Sequence, residues 1–236
     1  MKSIYLILLL VILTLGTAGL LPAQNQSDIP DPTRFEQEIN AFEQWDTKNS
    51  SPKESILFVG SSSINFWNTA EAFSDYPVIN RGFGGSHISD LLHYYDQVIG
   101  RFDPSLIVFY CGENDIASGL NSDKVFDGYK ELLSRIEQDF PNTHFLYITI
   151  KPSSSRLEYT EPFTEFNHWV KTFNKTNDRL HYIDLATPLT NGNGRSDDSF
   201  FVDDLLHLNE QGYEIWSERM AEFLKTMEES GQLVKQ

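Results

Sequence analysis

The chain predicts a doubly wound α/β fold, in which helices cover both faces of a parallel sheet. Three observations carry that expectation. Five short apolar runs recur along the sequence, each is followed by a stretch with helical spacing, and the first three end in polar turns that contain glycine. At 236 residues the chain has interior enough for one domain with a real core, and no internal repeat divides it.

The elements can be placed in order. Gln, Asn, Ser, Asp and Pro over 24–33 read as a linker, and Phe35, Ile39, Phe42 and Trp45 mark the inner face of a helix over about 33–48. Ile56–Val59 is the first strand, wholly apolar as a buried parallel strand should be, with a helix around Ile64–Phe73 after it. Val78-Ile79 is a short second strand, and His87–Ile99 a helix with Leu91, Leu92, Tyr95, Val98 and Ile99 inward. Leu106–Tyr110 is the third strand, and Ser122 caps a helix that Pro141-Asn142 ends. His144–Ile150, a helix over Pro162–Lys175, and Leu180–Leu185 follow. A loop with Asn191-Gly192-Asn193-Gly194 then leads to a last helix, capped by Asn209 and reaching about Glu229.

Bulk properties narrow the function. A formal net charge of −16 argues against nucleic acid and anionic lipid surfaces, both of which need clustered Lys and Arg. Cys111 is the sole cysteine, so no intrachain disulfide forms, and its place at the end of an apolar run marks a buried, inert thiol. His93, His144, His168 and His181 lack metal-ligand spacing, so no metal is expected. The first 23 residues have the layout of a secretory leader: Met1-Lys2, an apolar stretch from Ile4 to Leu15, then small residues. Cleavage is expected after Ala23, with Ala18 as a second site and an uncleaved anchor as the alternative. Either way the folded part, 34–236, is expected outside the cytoplasm, periplasmic or secreted, with no stable membrane contact once the leader is removed.

Four polar clusters carry the chemistry. Gly60-Ser61-Ser62-Ser63 follows strand one, and Asn80-Arg81-Gly82-Phe83-Gly84-Gly85-Ser86 follows strand two. Gly112-Glu113-Asn114-Asp115 follows strand three, and Asp203-Asp204-Leu205-Leu206-His207 precedes the last helix. Singly each reads as a turn or a cap. Together, at least three of them should converge on the carboxyl edge of one sheet, where open α/β folds bind ligands.

In this order the blocks resemble the SGNH hydrolases, also called GDSL esterases, over roughly residues 35–225. That resemblance implies a flavodoxin-like three-layer α/β/α sandwich on a five-stranded parallel sheet. It also implies hydrolysis of acyl esters without a cofactor. By register with the family, Ser62 is the nucleophile, with Ser61 and Ser63 as neighbours that could replace it. His207 would be the general base and acid, and Asp204 would orient it, spacing favouring Asp204 over Asp203. The oxyanion hole would use the backbone N–H groups of Ser62 and Gly85 and the Asn114 amide. The commonest form of the first block has Asp before the nucleophile, and here that residue is Ser61. The Gly-x-Ser-x-Gly elbow of α/β-hydrolases is absent, since Ile64 holds the second glycine position.

Around these residues, Trp67 is expected in the core and Glu113 and Asp115 to brace Asn114, while His87 is read as a polar surface residue that could also line the site. The leading expectation is an exported serine esterase acting on small acyl esters, with an acetylated glycan as the favoured substrate class. A lysophospholipase- or thioesterase-type acylhydrolase is the alternative within the family. A non-catalytic glycan- or lipid-binding protein on the same scaffold is the rival from another class. A flavodoxin-type cofactor binder is disfavoured, because no Lys or Arg follows in the serine loop to meet a phosphate.

Overall fold

The computed structural model describes residues 29–233, so the leader and the first half of the linker lie outside the described residues. Five parallel strands, β1 Ser55–Gly60, β2 Val78–Gly82, β3 Pro104–Tyr110, β4 His144–Ile148 and β5 Leu180–Ile183, form one sheet of order β2-β1-β3-β4-β5. The doubly wound, flavodoxin-like expectation holds. In such an order the switch point lies between β1 and β3, so their carboxyl ends frame a natural crevice.

Alternation along the strands builds two cores. Leu57, Val59, Ile107, Phe109, Phe145 and Tyr147 face one layer, which contains α1 Glu36–Asp46, α4 Ile88–His93, α5 Glu113–Ala117, α6 Ser122–Asp139 and α7 Thr160–Asn174. Ile56, Phe58, Leu106, Val108, Leu146 and Ile148 face the other, covered by α2 Ser62–Asn65, α3 Thr69–Ala72 and α8 Glu210–Glu229. The stripe Trp216, Met220, Leu224 and Met227 seats α8, at roughly 1.5–3 kcal/mol for each buried side chain. Trp67 is buried in this second core, and Cys111 is buried in the first, where burial pushes its thiol well above the ordinary value. Among the described residues no helix is long and apolar enough to cross a membrane.

Several elements differ from expectation, each for a polar reason. The helix expected over Ile64–Phe73 is two short ones, because Asn80 Nδ2 draws off the carbonyls of Ile64 (2.8 Å) and Trp67 (3.2 Å). Strand β2 runs on to Gly82 and so absorbs the first three residues of the loop. The helix over His87–Ile99 turns into a π segment at Asp96–Gly100. Strands four and five stop short at Ile148 and Ile183: Asn167 takes the Ile150 amide (2.8 Å), and the Thr149 hydroxyl takes those of Leu185 (3.1 Å) and Ala186 (3.0 Å). Asn121, not Ser122, occupies the cap position of α6, since the Ser122 hydroxyl bonds the Pro162 carbonyl instead. Asn209 caps α8 as expected, accepting from the Gly212 amide at 3.1 Å. Trp45 points to solvent, while Phe35 and Ile39 carry the inner face of the first helix.

Gly60 makes the closest approach in the sheet. Its φ is +141°, and a Cβ there would sit 2.0 Å from the Tyr110 carbonyl oxygen. Gly60→Ala should cost the roughly 1–3 kcal/mol of a disallowed backbone region together with the clash. Gly84→Ala, whose Cβ would meet only the Ser62 Cβ at 3.9 Å, should leave stability unchanged. Urea midpoints of the two variants check both statements.

Candidate active site

All four polar clusters meet above the carboxyl ends of β1, β2 and β3. Ser61 accepts the end of the sheet ladder, its amide donating to the Tyr110 carbonyl at 3.0 Å. The chain then turns directly into α2, so Ser62 is the first helical residue, whose N–H has no partner inside the helix. Burial separates the three serines: Ser61 and Ser63 are 2% and 1% exposed, whereas Ser62 is partly open.

Ser62 Oγ lies 2.9 Å from His207 Nε2, and His207 Nδ1 lies 2.6 Å from Asp204 Oδ2. The carboxylate can only accept, so Nδ1 carries the proton and Nε2 offers its lone pair to the serine hydroxyl. The other carboxylate oxygen of Asp204 accepts the amides of Leu206 (2.8 Å) and His207 (2.9 Å). That turn puts Leu205 in the left-handed region, φ +54°, an uncommon place for a bulky residue and one associated with functional loops. Asn209 holds the loop from behind, its Nδ2 donating to the carbonyls of Ser199 (2.8 Å) and Phe201 (3.2 Å). Phe66, 56% exposed, stands edge-on to the His207 ring with centroids 5.1 Å apart.

Desolvation raises the Asp204 carboxyl, but the backbone and ring hydrogen bonds from His207 and the Leu206 amide outweigh it, bringing the pKa to about 2. Asp203 makes none of these contacts among the hydrogen bonds of the described residues.

The glycine loop lies alongside. Gly85 has φ +79° and open space where a Cβ would be, and its N–H donates to no backbone carbonyl among the described residues. Asn114 Nδ2 donates to the Ser86 carbonyl at 3.1 Å, and Asn114 Oδ1 accepts from Arg156 Nη2 at 2.9 Å. Glu113 and Asp115 are both buried. Asp115 accepts the Ile88 amide at 3.0 Å and, chiefly by burial, titrates at about 7. His87 is buried, not on the surface, and burial followed by the charges of Arg34 and Arg156 lowers it to about 4.

Arg156 and its segment, a 3-10 turn over Ser154–Tyr159, are what sequence reasoning missed. Nothing in the periodicity of that stretch marks it. The available signal was only an isolated basic residue in an acidic chain, after the fourth strand. Five clefts of about 340 to 620 Å³ on the described surface include neither Ser62 nor His207, so cavity size alone does not point to this site. Among the described residues no group of three His, Cys, Asp or Glu side chains could hold a metal ion.

The profile of the GDSL-like Lipase/Acylhydrolase family matches residues 64–215, well over half of the chain. The chain belongs to this family. It is an ester hydrolase of the SGNH, or GDSL, type. Its fold is similar to that of a Streptococcus pneumonia protein provisionally described as a platelet activating factor, with TM-score 0.72 and 21% identity over 81% of this chain and 93% of that one. A GDSL-like lipase from Bacteroides thetaiotaomicron gives TM-score 0.67 and 17% identity over 83% and 98%. A carbohydrate esterase family 3 protein from Talaromyces cellulolyticus gives 0.58 and 15% over 73% and 96%. At these identities the likeness is one of fold. No curated protein matches in sequence.

The carboxyl of Asp204 lies below its ordinary value of 3.8, so its contribution to stability is complete above that value and is lost as pH falls through about 2. Carbon-13 NMR titration should place the Asp204 midpoint near 2, and Asp204→Asn should remove that step from the acid-denaturation profile. A midpoint at the ordinary carboxylate value would show that the turn around His207 does not hold in solution.

Proposed function

We propose that this GDSL-family hydrolase is an exported serine esterase acting on short acyl esters through Ser62, His207 and Asp204. The observation that carries the reading is the unbroken chain from Ser62 Oγ through both nitrogens of His207 to Asp204. Ser62 Oγ attacks the ester carbonyl carbon as its proton passes to His207 Nε2. The N–H groups of Ser62 and Gly85 and the Asn114 amide receive the oxyanion. The tetrahedral intermediate expels the alkoxide, which takes the proton from His207, leaving an acyl-serine. Water then repeats the sequence in reverse roles and releases the acid.

A small acyl group on a carbohydrate is the favoured substrate. The carbohydrate esterase among the proteins of similar fold supports this, as does the leader-like N-terminus, which suggests export towards an extracellular glycan. The overall charge of −16 also disfavours an anionic interface as the place of work.

Hydrolysis of p-nitrophenyl acetate, butyrate and octanoate tests both parts. Ser62→Ala should lose about 10⁴-fold or more in kcat, as nucleophile removal does in serine hydrolases. Ser61→Ala and Ser63→Ala should keep turnover of the same order. Acetate should give the highest kcat/KM, and a preference for octanoate would assign the enzyme to longer lipid esters instead.

A further inference from the structure

We propose that Arg156 is the positioning residue of the oxyanion hole, fixing the Asn114 carboxamide in its donating orientation from a segment that also holds the Asp204–His207 loop. The inference rests on the reading of Ser62 and Asn114 given above. A carboxamide presents an acceptor and a donor end of nearly equal shape, and only the donor end can stabilise an oxyanion. Two neighbours decide which way it faces. Arg156 carries no acceptor, so its Nη2, 2.9 Å away, can bond only the Oδ1 end. The Ser86 carbonyl carries no donor, so at 3.1 Å it can bond only Nδ2. The second N–H of Nδ2 is left without a protein partner among the described residues. A charged donor on Oδ1 also draws electron density from the amide and makes that free N–H a stronger donor.

The clamp is itself clamped. Arg156 Nη1 donates to the Glu113 carbonyl at 3.1 Å, and the same nitrogen is 3.7 Å from Glu113 Oε1. Glu113 Oε2 accepts from the fully buried Lys151 at 3.2 Å and from the Tyr110 hydroxyl. Burial and then the charge of Glu113 raise the Tyr110 phenol well above its ordinary value, so it remains a donor. One carboxylate therefore faces two cations, Lys151 and Arg156, behind Asn114. On the other side, Ser155 donates to the Leu205 carbonyl from its amide (3.3 Å) and its hydroxyl (3.1 Å), and Ser154 Oγ reaches Asp198 Oδ1 at 2.5 Å. The six residues Ser154–Tyr159 thus tie the oxyanion side of the site to the histidine side.

The test is a double-mutant cycle on p-nitrophenyl acetate hydrolysis with Arg156→Ala, Asn114→Ala and the pair. Arg156→Ala should lower kcat at least about tenfold, up to the roughly 10²–10³ that loss of a whole oxyanion donor costs. KM should stay within about twofold, since a transition-state interaction is removed. In the Asn114→Ala background the same change should have no further effect on kcat, and added guanidinium ion should restore part of the rate to Arg156→Ala alone. Should Arg156→Ala fold poorly, Arg156→Lys keeps the charge without the fork and should fall between wild type and the kcat of Asn114→Ala. Wild-type kcat in either Arg156 variant, a rise in KM alone, or full additivity with Asn114→Ala overturns the proposal. Wild-type activity in Asn114→Ala overturns the oxyanion-hole reading beneath it, which keeps the two failures apart.

Discussion

The approach of Gly60 to the Tyr110 carbonyl is the constraint on which the site depends. A parallel pair of strands normally diverges at its carboxyl ends as each turns into its own helix. Here the absence of a side chain lets β1 stay against β3 for one more residue, and the Ser61 amide closes the ladder on the same carbonyl. The serine loop is thereby pinned directly over the end of β3. From the same residue the Tyr110 hydroxyl reaches forward to Glu113, the first residue of the short helix that carries Asn114. A single residue at the end of β3 thus sets both the wall against which the serine turn packs and the anchor of the helix that carries Asn114. Bringing those two parts together by backbone contact and a buried hydrogen bond costs little motion during the reaction, which is what preorganised stabilisation requires.

The five strands and the polar clusters that meet at the sheet's edge were legible because they rest on local signals. Short apolar runs, the first three leading into polar turns that contain glycine, can hardly be placed elsewhere, and Asp204 with His207 three residues on is a spacing that a tight turn closes by itself. What was not legible depends on tertiary competition for hydrogen bonds. No window around Ile64–Phe73 reveals that Asn80 will take two carbonyls and break the helix. The choice among Ser61, Ser62 and Ser63 was a matter of family register in the sequence. In the fold only the middle serine is open and only it hydrogen-bonds His207, which is the physical support for proposing Ser62. His87 read as a surface residue because a histidine at a helix start usually is one, and the loop that buries it is distant in sequence.

Arg156 was invisible for a more general reason. Its hydrogen bonds are to a carbonyl and to one side-chain oxygen on elements more than forty residues away, and neither leaves a mark on its neighbours in sequence. Residues of this kind are recognised only by counting which end of an amide each partner can satisfy. The same counting gives the histidine its tautomer, with Asp204 able to receive only a proton-bearing Nδ1.

The charges behind Asn114 bear on what the network is for. A buried ion pair seldom stabilises a fold, because removing Lys151 and Glu113 from water costs about as much as their attraction returns. An apolar pair of similar volume would hold this part of the core as well. Among the described residues the chain nevertheless sets a fully buried lysine and a partly exposed arginine on one carboxylate, and that arginine holds the amide proposed above to receive the oxyanion. Over the whole surface the molecule is strongly acidic, with a net charge of −16 that would by itself disfavour a negative transition state. On the proposed reading, the two cations beside Glu113 offset that bias where the oxyanion would form, in surroundings drier than the exterior, where charge acts more strongly than in water. On that reading the transition state, rather than folding, accounts for the network.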